Sequence, residues 1–421
     1  MGKIRRIGEL IAEIHKIDTD NTITEKDEFI VELIKEFVTE NEVASDNRLN
    51  VFMEALKKDN NLVRAMVING LIDDGVISRG DLLKIGIRQA FIDALEMNGT
   101  RQYSDPNGPL YKIKNLSTEV YFWGIPASGK TCAIGAMLSM AAKSDLPQIN
   151  VFNNGGDCQG KKYMNELTRM FPYDISDEVR DDVSDVMPLP NGTHVENTYE
   201  MFFELIDNRN KVLPITFIDM AGELIRCMYK KNMGIKLSSE EEKALQTVTN
   251  VLKDNRTENQ KIHVFVVEYG GENREYEGVS QTDYLMEAIT YLENKIKCED
   301  GSTFNVFKDK TDGIYLMVTQ VDKAGVQDDM LKEHVRKYME GRNNYNSIAN
   351  KLKYICQMNH INGGKLAVML FSLGEVCFKD YCLFSPRFTS KALQTLLSHV
   401  YRYDKRLKTP WINWIYKFLG S

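Results

Sequence analysis

The stretch VYFWGIPASGKT, Val120 to Thr131, constrains the fold of this chain more than any other. Gly124, Gly129, Lys130 and Thr131 complete the spacing G-x-x-x-x-G-K-[ST] without a departure. An apolar, β-branched and aromatic run, TEVYFW, feeds the loop, and TCAIGAMLSMAAK leaves it as a good helix former. A strand, a glycine turn and a helix N-terminus in that order converge backbone N–H groups on one point, where an anion belongs. Lys130 is placed to meet outer phosphates, and the Thr131 hydroxyl to ligate magnesium.

A loop of this kind needs neighbouring strands, and the sequence supplies them. QINVFNN, TYEMFFELI, LPITFIDMAG, IHVFVVEYGG, GIYLMVTQVD and KLAVMLFSLG are short apolar runs, most of them separated by amphipathic helical stretches. That alternation predicts an α/β fold with a mainly parallel, doubly wound sheet over residues 116–403. The first hundred residues read differently: EFIVELIKEFVTENEV, NVFMEALKKDNNLVRAMVINGLI and DLLKIGIRQAFIDALEMNG repeat apolar residues at helical spacing. An all-helical domain over 1–100 is expected, then a proline- and glycine-marked linker over 101–115.

Within the helical part, DTDNTITEKDEFIVELI and LIDDGVISRGDLLKIGI echo each other. Thr24 with Asp27 and Ser78 with Asp81 fit helix caps. Paired calcium loops are the sharper alternative, but Lys16 stands at an opening acid position, and Leu or Ile where early ligands of the second loop belong.

Composition bounds the function. At 421 residues the chain exceeds one ordinary core. Hydrophobic residues at 43% and charged residues at 27% mark a globular protein outside any bilayer, and no apolar run reaches the ~20 residues of a span. A net charge of -7, with no basic domain, argues against nucleic-acid binding. Cys132, Cys158, Cys227, Cys298, Cys356, Cys377 and Cys382 show no metal spacing, as expected of reduced cytoplasmic thiols. MGKIRRIGELIAEIHKID has no apolar core, so no secretory signal is expected.

Asp219 ends the strand LPITFID, where a second magnesium-side acid is needed. With Ala221 and Gly222 it forms D-x-A-G, in which the Gly222 amide can sense a γ-phosphate oxygen. This resembles the second switch of the phosphate-loop GTPase superfamily, in its Ras-like and translation-factor classes. The resemblance implies a base-reading motif on a later strand, and Thr319, Gln320, Val321 and Asp322 stand where the family has [NT]-K-x-D. There the Asp322 carboxylate would accept from the N1 and N2 donors of guanine. Gln320 replaces the family's lysine. One strand later Ser372, Leu373 and Gly374 match the short loop that contacts guanine O6.

The resemblance therefore implies GTP or GDP with Mg2+ as ligands. Nucleotide contacts fall on Gly124, Ser128, Gly129, Lys130, Thr131 and Cys132, and on Thr319, Asp322, Lys323, Ser372 and Leu373. Metal ligands fall on Thr131, Asp219 and the first-switch threonine. Thr193, in the turn PLPNGTHV, is chosen for that role, with Thr198 as competitor. Catalysis would rest on Lys130, Thr193, Gly222 and Glu223, the last standing where Ras-like members carry glutamine. A carboxylate beside a γ-phosphate is repelled, so slow hydrolysis is expected, with an arginine from a partner or a flexible segment completing the site. Arg226 is the candidate within the chain, against its reading as a surface helix residue. Long segments around both switches are similar to large bacterial GTPases with enlarged switch regions, including the double-GTPase group.

The expected role is a cytoplasmic molecular switch acting on regulatory or effector proteins. A nucleotide-binding scaffold subunit and an ATPase are the alternatives. The tail over 404–421 sets Trp411, Trp414, Tyr416 and Phe418 behind Lys405, Arg406 and Lys408. It suits a membrane surface, a partner, or its own domain.

Overall fold

The computed structural model describes residues 4–20, 23–39, 47–96, 110, 112–143, 146, 148–171, 186–190, 192–193, 197–253, 259–276, 278–298, 300–341 and 345–403. The aromatic tail and most of the acidic 173–187 segment lie outside these residues. No helix among the described residues is long and apolar enough to cross a membrane.

Up to Glu96 the described chain is helical: α1 (Ile7–Thr19), α2 (Lys26–Thr39), α3 (Arg48–Lys58), α4 (Ala65–Asp73), α5 (Arg79–Lys84) and α6 (Gln89–Ala94). Their apolar stripes close on one cluster that includes Leu10, Ile34, Phe52, Ile68 and Phe91. Ser78 caps α5: its hydroxyl accepts from the Asp81 N–H at 3.2 Å, and the Asp81 carboxylate accepts from the Ser78 N–H at 3.0 Å. Two acids of the calcium alternative pair with lysines. Asp18 pairs with Lys379 at 2.6 Å and Asp81 with Lys84 at 2.9 Å.

The strands that follow are β1 (Thr118–Trp123), β2 (Ile149–Asn153), β3 (Val186–Pro188), β4 (Thr198–Asp207), β5 (Val212–Met220) and β6 (Gln260–Glu268). After them come β7 (Glu275–Tyr276), β8 (Val279–Ser280), β9 (Lys295–Lys297), β10 (Thr303–Asn305), β11 (Gly313–Thr319), β12 (Ala367–Leu370), β13 (Ser372–Cys377) and β14 (Tyr381–Arg387). The helices among them are α7 (Lys130–Ala142), α8 (Lys161–Met170), α9 (Glu223–Asn232), α10 (Ser239–Lys253), α11 (Gln281–Glu293) and α12 (Val306–Asp309). The last are α13 (Asp328–Glu340), α14 (Tyr345–Met358) and α15 (Thr389–Tyr403).

Seven strands form the central sheet in the order β12-β11-β6-β1-β5-β4-β2. Pairing is parallel from β12 to β5; β4 is antiparallel to β5, and β2 antiparallel to β4. The strand period of two splits β1 between the faces: Tyr121 and Trp123 join one core with α9, α11 and α14, while Val120 and Phe122 join the other with α7, α8 and α15. A strand buried on both faces has no polar alternation, which is why these runs read as continuously apolar. Leu110 and Ile113, at the end of the expected linker, are buried in the first of these cores.

Parallel pairing puts the ends of β1, β6 and β11 at one edge of the sheet, with Glu268 opposite Thr319 and Phe122 opposite Asp219. A three-stranded sheet, β13-β14-β3, stands beside this edge. Its β13–β14 turn places Phe378 and Lys379 at φ of 56° and 57°. Phe378 is fully buried in the helical cluster, and its N–H donates to the Asn60 carbonyl at 2.8 Å.

Candidate functional site

The loop from Gly124 to Thr131 leaves β1 and enters α7. Gly129 takes φ +82°, a left-handed conformation that glycine adopts freely. At Gly124 a Cβ would fall 2.8 Å from the Val266 carbonyl oxygen, so the loop lies directly on β6. Lys130 is buried, and its Nζ donates back to the carbonyls of Gly124 at 2.9 Å and Ile125 at 3.3 Å. Burial pushes its ammonium below the ordinary lysine value, against the pull of Asp219 and Glu223. The Lys130 ammonium is thus held by two carbonyls of its own loop.

Asp219 brings together the residues expected on the metal side. Its Oδ2 accepts from the hydroxyls of Thr131 at 3.0 Å, Thr193 at 3.3 Å and Tyr163 at 2.9 Å. Its Oδ1 is buried and has no hydrogen-bond partner. Burial raises the carboxyl above the usual range, and Lys130 opposes this. A buried carboxylate oxygen with a vacant lone pair, beside two hydroxyl oxygens, is a hard-oxygen set that fits magnesium completed by phosphate oxygens. Thr131, Thr193 and Asp219 would hold that ion. Thr198, the competitor of Thr193, is buried on β4, where its carbonyl accepts from Gln159.

Tyr163 is a site residue that sequence reasoning missed. It lies on the buried face of α8 and stacks on Tyr199 with centroids 3.8 Å apart. In the sequence it is one apolar position of an amphipathic helix, and only its contact with Asp219 distinguishes it.

Gly222 opens α9 against the phosphate loop. Glu223 follows it in the first helical turn, where a negative charge suits the helix dipole. Arg226 is buried on the same helix, and its charge bears on Glu241 of α10. Cys132 sits partly buried against the α7 core, its thiol pushed up to about 12 by burial, and so is neutral.

The residues expected on the base side form a second cluster. Ser372 Oγ donates to Asp322 Oδ1 at 2.5 Å, which joins the end of β11 to the start of β13. Lys323, next to Asp322, is exposed and pairs with Glu268 at 2.7 Å. Gln320 turns the chain in the left-handed region at φ 55°. Thr319 is buried, and its hydroxyl donates to the Ser128 carbonyl at 2.7 Å, which fastens this cluster to the phosphate loop. Ser128 Oγ is itself buried without a partner. Leu373 turns its side chain into the core on the α7 face.

No family model and no curated protein matches the sequence. Among solved structures the chain is similar to Methanosarcina barkeri Roco2 RocCORdC bound to GDP, at 10% identity over 72% of this chain and 53% of that one, with a TM-score of 0.25. It is also similar to nucleolar GTP-binding protein 1 from Plasmodium falciparum, at 10% identity over 68% of this chain and 88% of that one, with a TM-score of 0.27. The chain thus spans about half the length of the first. Overlaps this low leave function to be read from the residues.

Proposed function

We propose that the chain is a phosphate-loop GTPase that binds a guanine nucleotide with Mg2+ and cleaves the γ-phosphate slowly, as a switch for protein partners. The observation that carries this is the meeting of Thr131 and Thr193 on Asp219, whose second oxygen is left without a partner beside Lys130. When bound, Mg2+ would supply charge neutralisation between the outer phosphates. Lys130 would exchange two carbonyl dipoles for full anions, and Gly222 would offer its amide beside the loop. Asp322, held by Ser372, would keep an oxygen for the guanine donors.

Residues 1–100 are read as a helical domain joined to a nucleotide-binding domain over 116–403, which suits a switch whose output is a second module. The reading as a scaffold that scarcely hydrolyses is favoured by Glu223 at the water-positioning place.

Titration of the full chain with fluorescent GDP, GTP and ADP analogues in Mg2+ tests the base, and single-turnover phosphate release tests cleavage. Preference for adenine would overturn the guanine reading. Tight GTP binding without release would leave the scaffold.

A further inference from the structure

A short hairpin, β7–β8, lies over the phosphate loop and has no part in the site as described so far. Tyr276 of this hairpin and Arg274, just before it, meet on one oxygen of the loop. Arg274 Nη2 donates to the Pro126 carbonyl at 3.3 Å, and the Tyr276 hydroxyl donates to the same carbonyl at 3.0 Å. The guanidinium also packs on the Tyr276 ring, 5.4 Å from its centroid. Pro126 lies within the phosphate loop, against Gly222. Arg274 therefore stands at the edge where a γ-phosphate would approach Gly222 and Glu223.

Its counter-ion arrangement is unusual. Arg274 Nη1 pairs with Glu268 Oε2 at 2.5 Å, while Lys323 Nζ pairs with Glu268 Oε1 at 2.7 Å. Glu268 is 7% exposed and would be costly to leave unpaired, yet it holds two cations on separate oxygens. If Arg274 turned to another anion, Lys323 would still neutralise Glu268. Arg274 Nε is also buried without a partner, so the guanidinium has donor capacity unspent. Arg226, the arginine singled out in the sequence, is buried on α9.

We infer that Arg274 supplies, from within the chain, a second cation of the phosphate site: held on Glu268 and the Pro126 carbonyl, it turns to the γ-phosphate when a triphosphate is bound. The inference rests on the nucleotide reading above and deepens it. A fork of five N–H donors suits an oxygen-rich anion better than one carbonyl and half a shared carboxylate. No bond is made or broken by this movement; it changes only which anion the charge faces.

Affinities for GTPγS and for GDP, measured in Mg2+ on the wild-type chain and on Arg274→Gln, Arg274→Lys and Tyr276→Phe, test the assignment, with melting temperatures as the check on folding. Arg274→Gln is expected to lose about ten- to a hundredfold in GTPγS affinity, and less than about threefold in GDP affinity. Arg274→Lys should recover part of the loss. Tyr276→Phe, which removes the other donor to Pro126 and leaves the charge, should keep the wild-type ratio.

An unchanged GTPγS-to-GDP ratio in Arg274→Gln would overturn the assignment while nucleotide binding by the wild type stood. A ratio lowered equally by Tyr276→Phe would also overturn it, because the hairpin would then act only as a brace on the loop. Wild-type protein that bound neither nucleotide would overturn the assignment and the nucleotide reading together.

Discussion

Gly222 lies so close to Pro126 that a Cβ on it would fall 2.2 Å from the Pro126 nitrogen and 2.5 Å from the Ile125 carbonyl carbon. The end of β5 and the phosphate loop thus touch through backbone atoms, with no side chain between them.

Gly222→Ala cannot be accommodated by a rotamer change, since the atoms it meets are backbone. We expect a loss of stability of about 3 kcal/mol, near the top of the usual overpacking range. Urea unfolding reads the loss, and nucleotide titration should show binding weakened well beyond it.

Asp219→Asn separates metal binding from folding. Burial raises the Asp219 carboxyl, so the fold favours its protonated form, and the charge it carries at neutral pH is a cost to stability. The variant should melt no lower than wild type without magnesium. In nucleotide titrations at varied Mg2+, the metal dependence of affinity should vanish.

Asp380 caps a helix from across the molecule. Its carboxylate accepts from the Ala65 N–H at 2.8 Å, at the first turn of α4, and from Arg64 Nη2 at 3.1 Å. The α4 N-cap, Arg64, makes no side-chain cap of its own. Asp380→Ala should therefore cost about 2 kcal/mol in urea unfolding, with Asp380→Asn between it and wild type.

Two buried histidines should make the chain acid-labile. His263 Nδ1 accepts from Trp123 Nε1 at 2.8 Å, beneath the phosphate loop, and burial, helped by Lys261, pushes it down to about 3 from 6.5. His399, beside the Tyr315 hydroxyl at 2.7 Å, is pushed down to about 4, chiefly by burial. The unfolded chain binds protons that the fold refuses. Their contribution is complete above about pH 6.5 and is lost as pH falls, first toward 4 and then toward 3, by up to about 1.4 kcal/mol per pH unit for each histidine. Unfolding free energies at several pH values should show this slope, and His263→Gln should remove its share.

The strands of the central sheet were legible as short apolar runs, and β5 and β11 close on polar residues, Asp219 and Thr319, at the edge where the site gathers. Thr193 could be matched to Asp219 because the sequence Pro-Asn-Gly reads as a turn that sets a threonine just before the strand that pairs with β5, and the two meet at 3.3 Å. Tyr163 could not, since an aromatic at helical spacing reads as core until a carboxylate is found opposite its hydroxyl. Arg226, one turn on from Glu223, is buried, and spacing along a helix does not report burial. The β13–β14 hairpin escaped notice because SLGEVC and YCLFSPR lack clean alternation. Gly374, at φ 127° against the Leu383 carbonyl, bends β13 where the register shifts.

The base reader is tested most directly by affinities of wild type and Asp322→Asn for GDP and for xanthosine diphosphate in Mg2+. We expect wild type to prefer GDP, and the variant to lose at least about tenfold for GDP while gaining for the xanthine nucleotide, as the asparagine amide donates where the carboxylate accepted. An unchanged preference in the variant would remove Asp322 from the site and contradict the guanine assignment.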